Sequence, residues 1–463
     1  VQERLLANRN SLTTIPGENL MTKFDDHPTV RWWREQPVAQ TRVRLNAESL
    51  RSLCLEAGAD DVGFVELDRE AIVDQRSDIL AAFAPTQTLI SIVCRMNREN
   101  VRTPARSVAN VEFHANYEEV NEVARTIVKM LTQIGVRGLY PSAGFPMEMD
   151  RFPGKIWVVS HKPVAVAAGL GHMGLHRNVI HPKFGNFISL GTILIDSEVT
   201  AYDQPINFNP CIDCKLCVAA CPVGAIAPDG HFNFSACYTH NYRELMSGFT
   251  DWTETIADSK SARDYRQNVT ASESASMWQS LSFKANYKAA YCLAACPAGE
   301  DVIAPFLSDR KGFVREIVKP LQDKLEPIYV VPGSDAEAYV ARRFPHKTIR
   351  RVSSGIRPQS IPGFLFGLPL LFQRDQSKGL NAIYHFTFFG AEAHQATVTI
   401  GNRAVHVERG HTGKADLAIV ADSQTWLGFL AKEQNLVWAL LRRQIRIKGS
   451  LKLLQAFGKC FPA

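Results

Sequence analysis

Cys211-Ile212-Asp213-Cys214-Lys215-Leu216-Cys217-Val218-Ala219-Ala220-Cys221-Pro222 is the stretch on which the reading of this chain turns. In this spacing three thiolates take the corners of one iron–sulfur cubane, and the fourth, followed by proline, reaches a neighbouring cluster. A thinner set follows at Cys237, Cys292 and Cys296-Pro297. The interleaved reading gives Cys211, Cys214, Cys217 and Cys296 to a four-iron cluster, and Cys221, Cys237 and Cys292 to a second cluster. Thiolates suit iron because they are soft donors. Zinc also binds CxxC pairs, but four cysteines at these spacings ending in Cys-Pro are far more specific than one pair. The position three before Cys292 is Ala289. The second set therefore offers three thiolates, which leaves a 3Fe-4S cluster or a 4Fe-4S cluster closed by another ligand. His240, Tyr291 and a small exogenous ligand are the candidates.

At 463 residues two or three domains are expected, and 46% hydrophobic with 21% charged residues is the composition of a soluble globular protein. A formal charge of +6 gives no warrant for nucleic-acid binding. No apolar run reaches the roughly 18 residues of a spanning helix. Residues 1–18 hold neither a signal-peptide core nor a twin-arginine pair, and a chain starting at Val1 leaves room for a removed leader. Free thiols point to the cytoplasm, with peripheral membrane contact left open. Cys54, Cys94 and Cys460 stand isolated in apolar surroundings and read as packing residues.

Residues 1–45 read as an irregular N-terminal arm. From there strands alternate with helices: helix Glu48–Ala57, strand Asp61–Glu66, strand Thr88–Cys94, a long helix from Tyr117 to Ile134 capped by Gly135, and strands Arg137–Tyr140 and Ile188–Ile195. This argues an α+β domain over 46–205. The cysteine region occupies 206–305, with a polar helical insertion between Cys237 and Cys292. Residues 306–360 read as a charged connector, and 361–463 as a separate unit of four or five strands and three helices.

The order of Ala167-Ala-Gly-Leu-Gly-His-Met-Gly174, Pro182-Lys-Phe-Gly185 and Leu190-Gly-Thr-Ile-Leu-Ile-Asp196 ahead of the cysteines resembles the superfamily of corrinoid reductive dehalogenases and epoxyqueuosine reductases. The resemblance covers about residues 46–305. It implies a nitroreductase-like cobalamin-binding domain joined to a two-cluster ferredoxin-like domain, with cobalamin and two iron–sulfur clusters as cofactors. Gly169, Gly171 and Gly174 would let the backbone approach a large ligand, and His172, His176 and His181 would hydrogen-bond it, ligate metal or pack. Tyr117 stands eighteen residues before Gly135, the spacing of the proton-donating tyrosine in respiratory dehalogenases. Lys155, His161 and Lys162 are the candidates for a cation that would lower its pKa. Two features depart from the pattern. Ser189 lies in the segment where the dehalogenases carry arginine, and the aspartate segment of the epoxyqueuosine reductases is not recognisable.

The C-terminal unit resembles the sterol carrier protein 2 family through Phe386-Thr-Phe-Phe-Gly390, Ala396-Thr-Val-Thr-Ile400, Gly413 to Asp422, Trp426 and Ile447-Lys-Gly-Ser-Leu451, a match over about 364–460. That implies an α/β module around an apolar tunnel for a hydrophobic molecule or lipid; such modules also dimerise, so a homodimer is a further expectation. Together the resemblances imply a reductive dehalogenase-like oxidoreductase acting on an organic, hydrophobic substrate and fed by a ferredoxin or reductase. The competing reading is an iron–sulfur electron carrier or lipid-linked redox adaptor that lacks the corrin.

Overall fold

The computed structural model describes residue 24 and residues 26–35, 44–150, 152 and 154–462. Of the arm expected over 1–45, a helix at Pro28–Glu35 falls within them; positions 1–23 and 36–43 lie outside.

Helix α1 (Ala47–Glu56) begins at Asn46, whose side chain accepts the Ser49 amide as an N-cap. Strands β1 (Asp61–Glu66) and β2 (Thr88–Arg95) follow, then helices α2 (Arg98–Arg102) and α3 (Arg106–Gln133), strand β3 (Gly138–Leu139), helix α4 (His161–Ala167) and strand β4 (Ile188–Ile195). The strands form one antiparallel sheet in the order β1-β2-β4-β3. Side chains alternate across it. Ile90 and Ile92 pack with Val120, Val123, Ile127 and Leu131 of α3 on one face. Leu89 and Val93 pack with Val164, Ala165 and Ala167 of α4 on the other. With both faces covered, β2 is apolar almost throughout, which is why the sequence shows it as a run. Helix α3 stops where expected: Gly135 takes φ +81°, and the Val136 and Gly135 amides close onto Leu131 and Thr132. Its start differs. It begins eleven residues before Tyr117, at Arg106, because its first turns bury the polar Arg106, Asn110 and Asn116 and so carry no apolar period.

The cysteine region follows as α5 (Leu216–Ala220), α6 (Phe234–Asn241), the insertion helices α7 (Gly248–Asp258), α8 (Ala262–Asn268) and α9 (Ala271–Phe283), and α10 (Tyr291–Ala294). The stretch expected to be a connector is folded. Strands β5 (Pro327–Val330) and β6 (Thr348–Arg351) pair in parallel across helix α11 (Asp335–Arg343). Ile328, Val330, Ala336, Val340 and Phe344 of this unit share a core with Cys217, Cys221 and Ile226. The apolar helix α12 (Ile361–Leu371) leads into β7 (Ala382–Phe389), β8 (His394–Gly401), β9 (Ala404–Arg409), β10 (Leu417–Asp422), α13 (Ser423–Leu430), α14 (Leu436–Leu441), β11 (Ile445–Gly449) and α15 (Leu451–Cys460). Their sheet runs β9-β8-β7-β10-β11, antiparallel except for the parallel β7–β10 pair.

The first domain meets the cysteine region along several elements, most tightly at one joint. Glu300 and Asp301 donate their amides to the carbonyls of Pro182 and Lys183. Gly185, at φ +67°, lies so close to Ala298 that a β-carbon there would collide with the Ala298 carbonyl oxygen. Gly185→Ala is expected to cost about 1–3 kcal/mol from strain and collision, read as a lower midpoint in chemical denaturation.

Candidate functional site

The loops that carry the cysteines are bent by residues in the left-handed region: Asp213 at φ +52°, Lys215 at +60° and Ala290 at +54°. Such conformations are uphill for residues with a β-carbon, and they collect where a loop must hold a shape for a ligand. Cys211, Cys214, Cys217 and Cys296 line one small cavity together with His176 and Ile212. Cys237 lies within electrostatic reach of Cys292 and Cys221. Cys292 lies toward Cys217 and Cys296 as well as toward Cys221 and Cys237. Among the described residues no three His, Cys, Asp or Glu side chains are placed to hold a metal ion. Burial, with the neighbouring thiols adding to it, pushes the Cys292 thiol up to about 12. Burial likewise takes Cys296 to about 12, against the lowering effect of the Ala298 amide. Cys221 is raised by burial too, but its sulfur accepts the Ala225 amide at 3.3 Å. Donors aimed at sulfur favour the thiolate, so the donor set fits iron–sulfur clusters.

The groups differ in depth. Cys211 is partly exposed, and beside it Ile212 and Phe208 are exposed. Cys221, Cys237 and Cys292 lie deep, yet Cys237 and Cys292 are not sealed. Tyr117, Tyr242 and Tyr287 are half-buried, and Lys162 is exposed. Tyr242 lies near Tyr117, Cys237 and Cys292, and Lys162 faces the same two cysteines.

Tyr117 stands in the middle of α3, packed with Phe113, Phe187 and Tyr287. Burial raises its pKa, and a hydrogen bond from Tyr287 partly offsets the rise. The expected cation is not at its side. Lys155 is paired with Asp78 at 2.7 Å. His161 spends its ring nitrogens on Thr192 at 2.9 Å and the Ser142 carbonyl at 3.0 Å. Lys162 donates to Arg177 O and Asn178 Oδ1 and faces Cys292 and Cys237. The partner sequence reasoning missed, Tyr287, stands five residues before Cys292, where no motif marks it. Tyr242 packs edge-on against Tyr287 with ring centres 5.7 Å apart.

The glycine turn packs closely on its own chain. A β-carbon at Gly169 would meet the Gln204 carbonyl oxygen at 2.5 Å, and one at Gly171 the Ile180 carbonyl oxygen at 2.5 Å. One at Gly174 would meet Ile180 Cδ1 at 2.7 Å. The three histidines are also engaged. His172 Nδ1 contacts the Met173 carbonyl. His176 accepts the Asn178 amide and meets Asn186 at 3.2 Å, and burial with Lys162 beyond it lowers its pKa to about 4. It borders the first cysteine group. His181 locks onto Asp61 at 2.9 Å. Ser189 is buried with its hydroxyl unpartnered. His240 accepts the Tyr329 amide, and the Tyr291 hydroxyl donates to Glu326 at 2.8 Å.

Residues 205–227 match the family model of the 4Fe-4S binding domain, and residues 371–462 match the SCP-2 sterol transfer family. The chain is therefore an α+β protein that carries a 4Fe-4S binding segment and a sterol-transfer-type module. It is similar to the epoxyqueuosine reductases of Staphylococcus aureus, 38% identical over 80 residues covering 17% of this chain and 20% of that protein, and of Cyclobacterium marinum, 32% identical over 108 residues covering 22% and 34%. Among solved structures it matches a reductive dehalogenase whose structure suggests a mechanism for B12-dependent dehalogenation, at 16% identity, TM-score 0.38, over 62% of this chain and 39% of that one. The chain spans 20% to 42% of the length of the first curated relatives it matches. An epoxyqueuosine reductase solved with a tRNA stem loop also matches, at 17% identity, TM-score 0.29, over 42% and 56% of the two chains. For this chain the expectation of no nucleic-acid partner rests on its mild charge alone. In sequence the chain is thus similar to epoxyqueuosine reductases, and its C-terminal part matches the sterol transfer family.

The Asp61 carboxyl yields a test of the His181 latch. Burial pushes its pKa up, but the hydrogen bond from His181, the Val62 amide and Arg51 outweigh this and hold it below the usual carboxylate range. A depressed folded-state pKa gives stability that is present at neutral pH and is lost as pH falls through that value. Thermal melts of Asp61→Asn are expected to start lower than wild type at pH 7 and to vary less with acidification.

Proposed function

We propose that this chain is a cobalamin- and iron–sulfur-dependent reductase of an organic, hydrophobic substrate. The observation that carries this reading is the gathering of Tyr117, Tyr242 and Lys162 about Cys237 and Cys292, in a chain whose other cluster cysteines line one cavity. A corrin bound there would supply a low-valent metal able to reduce a carbon–leaving-group bond. Cys211, Cys214, Cys217 and Cys296 would hold the outer 4Fe-4S cluster, whose shallow position beside exposed Ile212 and Phe208 suits docking of a ferredoxin or reductase. Cys221, Cys237 and Cys292 would hold the inner cluster. Tyr117 would deliver its phenol proton to the reduced carbon, and Tyr287, packed beside it, would hold the ring in place. The Lys162 ammonium offsets negative charge near the inner thiolates.

Anaerobic purification with cobalamin supplied, followed by metal analysis, tests this directly. About seven or eight irons per chain are expected for two clusters, with one cobalt per chain. Tyr117→Phe is expected to keep both metals and lose at least 100-fold in reduction of an organohalide panel. Iron without cobalt would sink the corrin mechanism.

The C-terminal module supports an apolar partner. Its interior is filled by rings: Phe364 of α12 packs against Phe386, Phe388 and Trp426 at 5.6–6.1 Å between ring centres. A hydrophobic guest would enter by displacing Phe364. On its outside, Val437, Trp438 and Leu441 lie exposed on one face of α14. From Gln434 to Ala463 the chain has six basic residues and no acidic one. An apolar face with flanking arginines suits the surface of an anionic bilayer. Among the described residues no helix is long and apolar enough to cross a membrane. Co-sedimentation with phosphatidylglycerol-containing vesicles, but not with pure phosphatidylcholine, is the expected result, with Trp438→Ala/Leu441→Ala reducing it. Equal recovery with both vesicle types would count against the proposal.

A further inference from the structure

Two arginines are buried beside the cysteine groups without an acidic partner. Arg102, the last residue of α2, is 7% exposed and lies between the Phe187 and Phe313 rings, 5.2 Å from each centre. Its Nε and Nη2 groups have no hydrogen-bond partner. Arg106, the first residue of α3, is 8% exposed and stacks over Tyr291 at 5.2 Å. It donates Nη1 to the Thr103 carbonyl at 2.9 Å, while its Nε and Nη2 are unpartnered. Neither guanidinium forms an ion pair among the described residues. Glu99 lies near Arg102, but Arg98 lies there too and bonds with Glu99. Glu326 lies toward Arg106, but it is taken by Lys347 at 2.7 Å and by the Tyr291 hydroxyl.

A buried cation with open N–H groups is costly unless an anion compensates it. The sequence around these residues says which anion. Arg106 covers Tyr291, whose neighbour is Cys292. Helix α2 packs on α10, the helix that carries Cys292, and Arg102 is within electrostatic reach of Cys296. Both arginines belong to the sheet domain and face the cysteine region across the interface between them. Thiolate-held clusters are anions, and their potentials respond to nearby charge and to burial.

We propose that Arg102 and Arg106 are buried counter-charges, one for each cluster: Arg102 sets the reduction potential of the cluster that holds Cys296, and Arg106 that of the cluster that holds Cys292. This rests on the assignment of the cysteines as cluster ligands. Reduction adds negative charge to a cluster, so a fixed cation nearby stabilises the reduced form and raises the potential. The staggered pair would thus shape the step for an electron crossing from the outer cluster to the inner one. As positioning residues they touch neither substrate nor the reacting carbon.

The test uses the full chain, purified anaerobically, with iron analysis followed by a dithionite titration in mediators monitored by electron paramagnetic resonance. Arg102→Gln is expected to retain iron and to lower the potential of one cluster signal. Arg106→Gln should lower that of the other, and Arg102→Lys and Arg106→Lys should restore most of each shift. Wild-type chain without iron or cluster signals would defeat the cluster assignment. Clusters present with unmoved potentials would overturn the arginine proposal alone, as would equal shifts of both signals in either glutamine variant. Should a glutamine variant fail to hold iron, the lysine variant decides. Loading with a potential near wild type supports the counter-charge, and an empty lysine variant overturns it in favour of a packing role.

Discussion

The crossing of two cysteine runs in the middle of the chain is the constraint on which the other parts depend. Cys296 comes back to the group opened by Cys211, Cys214 and Cys217, while Cys221 turns toward Cys237 and Cys292. That crossing brings α10 against α5 and α2. It fixes the hydrogen-bonded joint between residues 182–185 and 298–301, and it gives the β5-α11-β6 unit its shared core. The sheet domain, the cysteine loops and the parallel unit behind them are therefore one packed body around the sulfurs. Each contributes charge or hydrogen-bond donors to an interior that a free thiol tolerates only when protonated.

Much of the fold was legible because burial on two faces writes itself into composition. Strands β1, β2 and β4 are apolar on both sides and could be placed to within a residue. The C-terminal hairpins announced themselves by alternation and by Gly401-Asn402. Elements that bury polar atoms were not legible. The first three turns of α3 carry Arg106, Asn110 and Asn116 inward, and Asn110 bonds to the insertion at Asn286. No hydrophobic period can report such contacts. Strands β5 and β6 are four residues long, and β6 is charged along its open side, so they read as linker.

The candidate site divides in the same way. The cysteine groups follow from spacing, since short loops dictate which sulfurs can meet. Tyr117 was found through its distance from a helix end, but its surroundings were not: a phenol, Tyr287, stands where a cation was expected. The histidines near the glycine turn hydrogen-bond within the chain, one of the roles their sequence allows. His181 and His176 serve the fold through Asp61 and Asn186, and a histidine-rich stretch looks the same in sequence whether its rings meet a ligand or each other's loops. Arg102 and Arg106 carried no signal at all, because arginines at the ends of two helices joined by a short turn are an ordinary solvated pattern.

The separation of Cys217 from Cys296 also bears on how the chain is made. At about 5–20 residues per second, the ribosome needs roughly 4 to 16 s to deliver the last cysteine of the first group after the third. Through that interval three thiols, close together and already drawn into a loop, stand without their closing partner. A nascent chain of this design is exposed to oxygen and to competing metal ions for seconds at a time, so its yield depends on the iron supply and redox state of the cell that translates it.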